Sequence, residues 1–180
     1  PKLPGNSLCA ELAGQMLDHA WKGTAKPAPH PLPPKLFNPH SYVNGRFLSP
    51  ENAKRGDNWK WDEPEWKKLT GGKRGRYLGK PLLHAETPDS KSTIEFDGMA
   101  IGAFVLAGPD AGILDFVVDG KKTGSIDLYH RYSRGLHYPR TVIFAHDLPV
   151  GKHRLEIAVS AKSNAASKGN AVRILQFCVN

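Results

Sequence analysis

The amino-acid sequence predicts a mainly β protein, a jelly-roll-like antiparallel β-sandwich that follows an N-terminal α-helix and a linker rich in Pro and Trp. Three observations predict this class. Apolar residues recur at helical spacing near the start, prolines interrupt the next stretch, and short apolar runs separated by turn residues fill the remainder. We therefore divide the chain into a terminal helix at 1–23, a linker at 24–76 and a β-sandwich at 77–180.

The first segment has the spacing of one amphipathic helix. Leu8, Leu12 and Met16 recur every four residues, and Trp21 lies in an adjacent apolar stripe. Ser7 precedes this pattern and suits the N-cap position, where its hydroxyl oxygen would accept a backbone N–H. A lone helix of this length is marginal in water, so we expect its apolar face to need a partner.

Ser7 is also the candidate nucleophile of a serine esterase. An esterase serine usually follows a buried strand, whereas the residues before Ser7 are Pro-Lys-Leu-Pro, which cannot form a central strand. Asp18 and His19 are adjacent on the helix and point in different directions, so they cannot form a catalytic dyad with each other. We therefore expect Ser7 to cap the helix.

The second segment begins with prolines that exclude both helix and central strand, which predicts an extended linker. It ends with Trp59, Trp61 and Trp66, three of the four tryptophans in the chain. These rings favour a segment that packs onto a neighbouring element. Stacking on sugars is the alternative.

The third segment contains about eight runs typical of short strands. Apolar and polar residues alternate in GILDFVVDG and HRLEIAVS, as a half-buried strand requires, and Asp119-Gly120 marks a tight turn. The absence of helical stretches favours a sandwich. The runs are YLGKPLLHAET, STIEF, AIGAFVLAG, GILDFVVDG, GSIDLY, RTVIFAHDL, HRLEIAVS and AVRILQFCV.

The net charge of +8 favours anionic partners, although dispersed lysines also serve solubility. The basic residues form no continuous stripe and no recognition module, so we expect no nucleic-acid partner. No apolar run approaches about 18 residues, so we expect no membrane partner.

We expect neither a metal nor a cofactor, because the histidines lack the paired spacing of a zinc site and the glycines of GPDAG form a turn. Cys9 and Cys178 lie near opposite ends of the chain, so they would pair if the termini meet and otherwise be buried thiols.

Residues 128–140, LYHRYSRGLHYPR, form the candidate ligand-binding loop. Aromatic faces suit sugar C–H groups, arginine forks suit carboxylate or sulfate, and loops on a rigid scaffold commonly carry binding residues. The alternative is a loop that packs against the linker or a neighbouring domain. The candidate ligand-binding residues are Tyr129, His130, Arg131, Tyr132, Arg134, His137, Tyr138 and Arg140.

The opening PKLPGNSLCAELAGQMLDHAW resembles the end of an SGNH/GDSL-type hydrolase domain. In that family the catalytic Asp and His lie in a late D-x-x-H-P block, which a short segment and the last helix follow. The resemblance covers about the first 23 residues and implies that Pro1 follows the catalytic His and that Ser7–Trp21 is the closing helix. It also explains the missing initiating Met, so we expect further sequence upstream.

The remainder resembles the extension found after some bacterial SGNH hydrolases, through PHSYVNGRF, the Trp-rich stretch and SIDLYHRYSRGLHYPRTVIFAHDLPVGKHRLEI. Such enzymes are similar to carbohydrate esterases, which remove acetyl groups from polysaccharides. The resemblance implies a secreted or periplasmic protein. The family's catalytic blocks are absent from this chain, so no catalytic residue is carried over and we expect the isolated chain to be inactive.

The sequence therefore favours the C-terminal fragment of an SGNH-type carbohydrate esterase, whose β-sandwich binds or positions an acidic or acetylated polysaccharide beside the upstream catalytic domain. A free-standing carbohydrate-binding module and a structural domain that docks on a catalytic domain are the alternatives.

Overall fold

The computed structural model describes residues 3–23, 29, 31 and 43–180, and the chain forms two compact units, Pro1–Phe37 and Asn38–Asn180. The first unit contains the helix and the second contains the β-sandwich. Most of the proline-rich stretch lies outside the described residues, so its extended conformation stays a prediction.

The helix, α1 (Leu3–Trp21), begins earlier than the sequence pattern predicts. Pro4 lies in its first turn, where a proline fits because the missing N–H would have no acceptor inside the helix. Ser7 therefore lies within the helix, and its predicted role as the N-cap is wrong. Gly23 lies just past the end of α1, as expected for a residue that closes a helix.

The described side chains of α1 are all exposed, from Pro4 onward. Its apolar residues include Met16 and Trp21, which are each 74% exposed. Burial of one large apolar side chain is worth about 1.5–3 kcal/mol, and a helix with a wide apolar face normally buries that face. The need of this face for a partner stays a prediction. No helix in the described part of the chain combines the length and apolar character that crossing a membrane requires.

The second unit is built from short strands. In chain order they are β1 (Arg46–Leu48), β2 (Lys54–Arg55), β3 (Lys60–Asp62), β4 (Leu82–Ala85), β5 (Lys91–Asp97), β6 (Ile101–Ala107), β7 (Ile113–Val118), β8 (Lys122–Asp127), β9 (Tyr138–Ala145), β10 (Lys152–Val159) and β11 (Val172–Val179).

Two antiparallel sheets form a sandwich. The first has the order β3-β4-β11-β6-β9, with β1 also paired to β11, and the second has the order β2-β5-β10-β7-β8. The last eight strands divide between the sheets as β4-β11-β6-β9 and β5-β10-β7-β8, which is a jelly-roll arrangement. The predicted fold class is confirmed, and each of the eight predicted runs overlaps one of these strands.

Alternation along the strands builds the core between the sheets. Leu155, Ile157 and Val159 of β10 are buried, whereas the residues between them are half-buried. Val105 of β6 and Phe177 of β11 belong to the same cluster from the other sheet. The core therefore joins the two inner faces, as sandwich packing requires.

Residues 46–62 are part of the sheets, whereas the sequence analysis assigns them to the linker. Strands of two or three residues are too short to show an alternating pattern, so the sequence gives no sign of them. Trp59 is 5% exposed in the main core, and Trp66 is buried in a second cluster with Tyr77 and Leu82. Burial against neighbouring elements is thereby confirmed for both of these tryptophans.

The two cysteines do not pair with each other. Cys9 is exposed and Cys178 is half-buried, and both are free thiols. The alternative of two buried thiols is therefore wrong for Cys9. Burial raises the pKa of the Cys178 thiol.

The Asp119-Gly120 turn joins β7 and β8 as predicted. Both residues have positive φ, 53° and 68°, and the Lys121 N–H donates to the Val118 carbonyl, as in a type I′ hairpin turn. Asp119 also reaches the neighbouring strand β10. Its carboxylate accepts hydrogen bonds from the Arg154 backbone N–H at 2.8 Å and from His153 Nδ1 at 2.6 Å.

His153 has an acceptor at each ring nitrogen, because Nε2 lies 2.7 Å from the Pro149 carbonyl oxygen. Both bonds form together only when the imidazole carries two protons. Burial alone would lower the pKa of His153, but the bonds to Asp119 and Pro149 and the nearby Asp97 carboxylate raise the pKa above 6.5.

We expect Leu155→Ala to lower the free energy of unfolding by about 2–5 kcal/mol, because Leu155 is fully buried and truncation leaves a cavity. The same change at exposed Leu8 is the control and should alter it by no more than about 0.5 kcal/mol. Denaturant unfolding followed by tryptophan fluorescence measures both. Equal effects of the two substitutions would contradict the assigned core.

We expect the stabilising effect of His153 to depend on pH. The folded-state pKa lies above the unfolded value, so the stabilisation is complete below about pH 6.5 and is lost as the pH rises through the folded-state pKa. His153→Gln should therefore lower the unfolding free energy more at about pH 6 than at about pH 9. His146→Gln is the matched control for the amino-acid change, since the His146 side chain is 62% exposed. The same dependence on pH in both variants would contradict the assigned role of His153.

Candidate functional site

The loop between β8 and β9 brings three of the predicted site residues together. The rings of His130 and Tyr138 stack with centroids 4.8 Å apart and planes 12° apart. Tyr132 lies 5.2 Å from each of these two rings. We call these three residues the aromatic platform. Tyr132 is 49% exposed, so the platform presents an aromatic face to solvent.

Arg131 lies against the exposed ring of the platform. Its guanidinium carbon is 4.7 Å from the Tyr132 ring centroid, and its Nη2 donates a hydrogen bond of 2.9 Å to Tyr132 Oη. A guanidinium in this position gains a cation–π interaction while most of its N–H donors stay available. Arg134 is exposed in the same loop.

Tyr129 and Arg140 hold the beginning of the loop. Tyr129 packs half-buried against the main core, and its N–H donates to Asp127 Oδ1. Arg140 Nη1 donates to the carbonyl oxygens of Asp127 and Leu128, at 3.2 and 3.1 Å. Both side chains therefore help to position the loop.

His137 holds the end of the loop and does not join the platform. It is 1% exposed, and its Nε2 lies 3.1 Å from the Thr70 carbonyl oxygen. The Trp66 ring meets it edge-on at 5.1 Å. Burial and the nearby Arg173 guanidinium lower the pKa of His137, which favours the neutral imidazole. Because the Thr70 carbonyl oxygen can only accept, Nε2 carries the hydrogen of this bond.

Backbone hydrogen bonds join the loop to the segment that the sequence analysis places in the linker. The Gly72 N–H donates to the Gly135 carbonyl, and the His137 N–H donates to the Gly72 carbonyl. Within the loop, buried Ser133 Oγ accepts the His130 N–H at 3.1 Å. These bonds fix the backbone on both sides of Tyr132.

Arg173 and Asp110 lie beside His137 and were missed by sequence reasoning. Arg173 is 1% exposed on β11, and its two terminal nitrogens bind the Asp110 carboxylate at 2.8 and 2.7 Å. Burial would raise the pKa of Asp110, but the Arg173 guanidinium outweighs it and holds the pKa below its usual value. The sequence signal was the single charge within the apolar run AVRILQFCV.

Two grooves lie away from the loop. One, of about 470 Å³, runs past Arg46, Phe96 and His153. The other, of about 640 Å³, lies beside His84, which contacts Asp62 at 2.7 Å, and no Trp, Tyr or Phe lines it. The first groove is lined by two neighbouring rings, Phe96 and His153, with centroids 5.3 Å apart, whereas the aromatic platform brings three rings together. In the described part of the chain, no three His, Cys, Asp or Glu side chains lie together as a metal site would require.

No family model matches the sequence, and no curated protein matches it. Two solved structures of a two-domain esterase (CEX) active on acetylated mannans are similar to it, one of them co-crystallised with mannopentaose. They have TM-scores of 0.68 and 0.66 at 16% and 15% identity, and the match covers 98% of this chain and 46% and 45% of those chains.

An exo-β-1,3-galactanase from Phanerochaete chrysosporium is also similar, with a TM-score of 0.50 at 17% identity over 78% of this chain and 30% of that chain. At such identities the likeness shows the fold alone. This β-sandwich therefore has carbohydrate esterases and glycosidases among its structural neighbours, and the chain spans less than half the length of the esterases that it matches.

We expect Gly108→Ala to distort the packing that holds the loop. A Cβ at Gly108 would lie 2.4 Å from His137 Cε1 and 2.8 Å from Asp110 Oδ1. Overpacking of this kind should lower the free energy of unfolding by about 1–3 kcal/mol. Gly135→Ala is the matched control in the loop itself, since its Cβ would meet no atom within 4 Å. Thermal unfolding of both variants tests this, and equal stability of the two would contradict it.

Proposed function

We propose that this chain is the C-terminal part of an SGNH/GDSL-type carbohydrate esterase and that its β-sandwich binds or positions a polysaccharide for the catalytic domain. The aromatic platform carries the proposal. Its three rings lie about 5 Å from one another, with one ring half exposed, on a loop whose two ends are fixed by buried residues.

The platform has the chemistry that sugar binding requires. The C–H groups of a pyranose ring pack against an aromatic face, while the hydroxyl groups at the edge need hydrogen-bond partners. Tyr132 supplies a half-exposed ring, and the guanidinium of Arg131, which lies over that ring, supplies hydrogen-bond donors beside it. Because the loop is fixed in advance, little conformational entropy would be lost on binding.

The similarity to the mannan esterase supports the first part of the proposal. That enzyme has two domains and acts on acetylated mannans, and the match covers 98% of this chain. The sandwich unit is about four fifths of the chain, so a match of this extent must also include residues of the first unit. An acetylated polysaccharide is therefore a candidate ligand, bound for an esterase domain.

The exposed apolar side chains of α1 also support this origin. As the last helix of an esterase domain, α1 would bury Leu8, Leu12 and Met16 against that domain. In the described structure the three side chains are 57%, 51% and 74% exposed. A partner of this kind would supply the burial that a single helix otherwise lacks.

We expect Tyr132→Ala to weaken binding of acetylated glucomannan about tenfold, because it removes the exposed face of the platform. Isothermal titration with the full 180-residue chain measures the affinity. Phe47→Ala is the matched control, since Phe47 is an aromatic residue 73% exposed on β1, outside the loop. Wild-type affinity in Tyr132→Ala, or an equal loss in Phe47→Ala, would argue against the platform as the binding site.

A further inference from the structure

The charged side chains of the loop are all cationic. The stretch 128–140 contains Arg131, Arg134 and Arg140 and no Asp or Glu. Arg140 is committed to two backbone carbonyl oxygens. Arg131 and Arg134 are exposed, and within residues 43–180 neither forms an ion pair with a carboxylate. The loop therefore has two exposed guanidinium groups that no acid of the loop neutralises, and that of Arg131 lies against the aromatic platform.

The acidic residues nearest to the loop are already committed to other partners. Asp127 accepts the Tyr129 N–H at Oδ1 and an Asn164 Nδ2–H at Oδ2, at 2.9 and 2.6 Å. Asp110 is bound through both oxygens by Arg173. The Arg173 guanidinium neutralises the charge of Asp110, and Asp127 forms no ion pair with Arg131 or Arg134 within residues 43–180. An anion that reaches the loop would find the two exposed guanidinium groups available.

Arg131 lies where it could bind an anionic group of a sugar whose ring stacks on Tyr132. Its guanidinium lies over the Tyr132 ring, and one of its N–H groups donates a hydrogen bond to the phenol oxygen, which is a neutral acceptor. A guanidinium has five N–H donors in a planar fork, which matches carboxylate and sulfate oxygens bidentately. A neutral glycan can use single donors of this group but offers no charged acceptor to match it.

We propose that the aromatic platform binds an acidic polysaccharide, with one sugar ring stacked on Tyr132 and an anionic group of that polymer held by Arg131 and Arg134. This inference rests on the proposed function, that the platform is a glycan-binding site. It adds that the anionic group, a carboxylate or a sulfate, contributes the larger part of the selectivity.

The test compares three polymers in native affinity gels at about 0.1 M salt, where long-range attraction is screened beyond about 10 Å. Polygalacturonate carries carboxylates, dextran sulfate carries sulfates and acetylated glucomannan is neutral. We expect Arg131→Gln and Arg134→Gln each to weaken binding of an acidic polymer about tenfold. Arg134→Gln should leave binding of the neutral polymer within about twofold, because Arg134 has no assigned contact with a neutral sugar.

Arg55→Gln is the matched control, because it removes the same charge from an exposed arginine on β2. Loss of acidic-polymer binding in Arg131→Gln but not in Arg55→Gln supports the inference, and the polymer affected identifies carboxylate or sulfate as the anion. An equal loss in both variants would show general attraction to a basic protein and would overturn it. Thermal unfolding confirms that each variant is folded.

The two proposals fail in different ways. If acetylated glucomannan binds at least as tightly as both acidic polymers, and Tyr132→Ala weakens that binding while Arg134→Gln does not, the inference about charge is overturned and the proposed function stands. If the wild-type chain binds none of the three polymers, both are overturned.

Discussion

The loops at the candidate site depend on one buried ion pair. Arg173 extends from β11, a strand paired along both edges, into a place where its charge has no access to water. A buried guanidinium is tolerated only with a matched acceptor, and removing one partner of such a pair commonly costs about 3–5 kcal/mol. Asp110 is therefore held in a fixed place, and the GPDAG turn is held with it.

Packing contacts connect the GPDAG turn to the candidate ligand-binding loop. Gly108 lies so close to His137 that no side chain fits between them, and His137 in turn contacts Trp66 and the Thr70 carbonyl. The His137 and Trp66 side chains in these contacts are both buried, so they have little room to move. The aromatic platform is thus the outermost part of a connected set of contacts that begins in the first sheet.

The sequence was most informative where a pattern extends over several residues. GILDFVVDG and HRLEIAVS could be recognised as strands because alternation of burial repeats along them, and the Asp119-Gly120 turn could be placed because few residues accept positive φ. The strands at 46–62 could not be predicted, since their pairing partners lie far away in the sequence and each strand is too short to alternate. Ser7 was misplaced because a hydroxyl before an apolar run and a proline one turn earlier are both helix-start signals.

Within the candidate loop, the sequence does not separate the residues that are buried from those that lie at the surface. Nothing in LYHRYSRGLHYPR distinguishes His137, which is buried, from His130, which stacks at the surface. His137 is buried because the fold brings Trp66 and the Thr70 carbonyl against it, and both residues lie far from His137 in the sequence.

The three short strands at 46–62 also bear on where the sandwich unit can be truncated. β2 and β3 are the outermost strands on one side of each sheet, and β1 pairs with the last three residues of β11. Truncation to the eight-strand roll alone would leave β4 and β5 as open edges, which invite pairing with other chains. A truncated chain that keeps these edges closed therefore starts before Arg46.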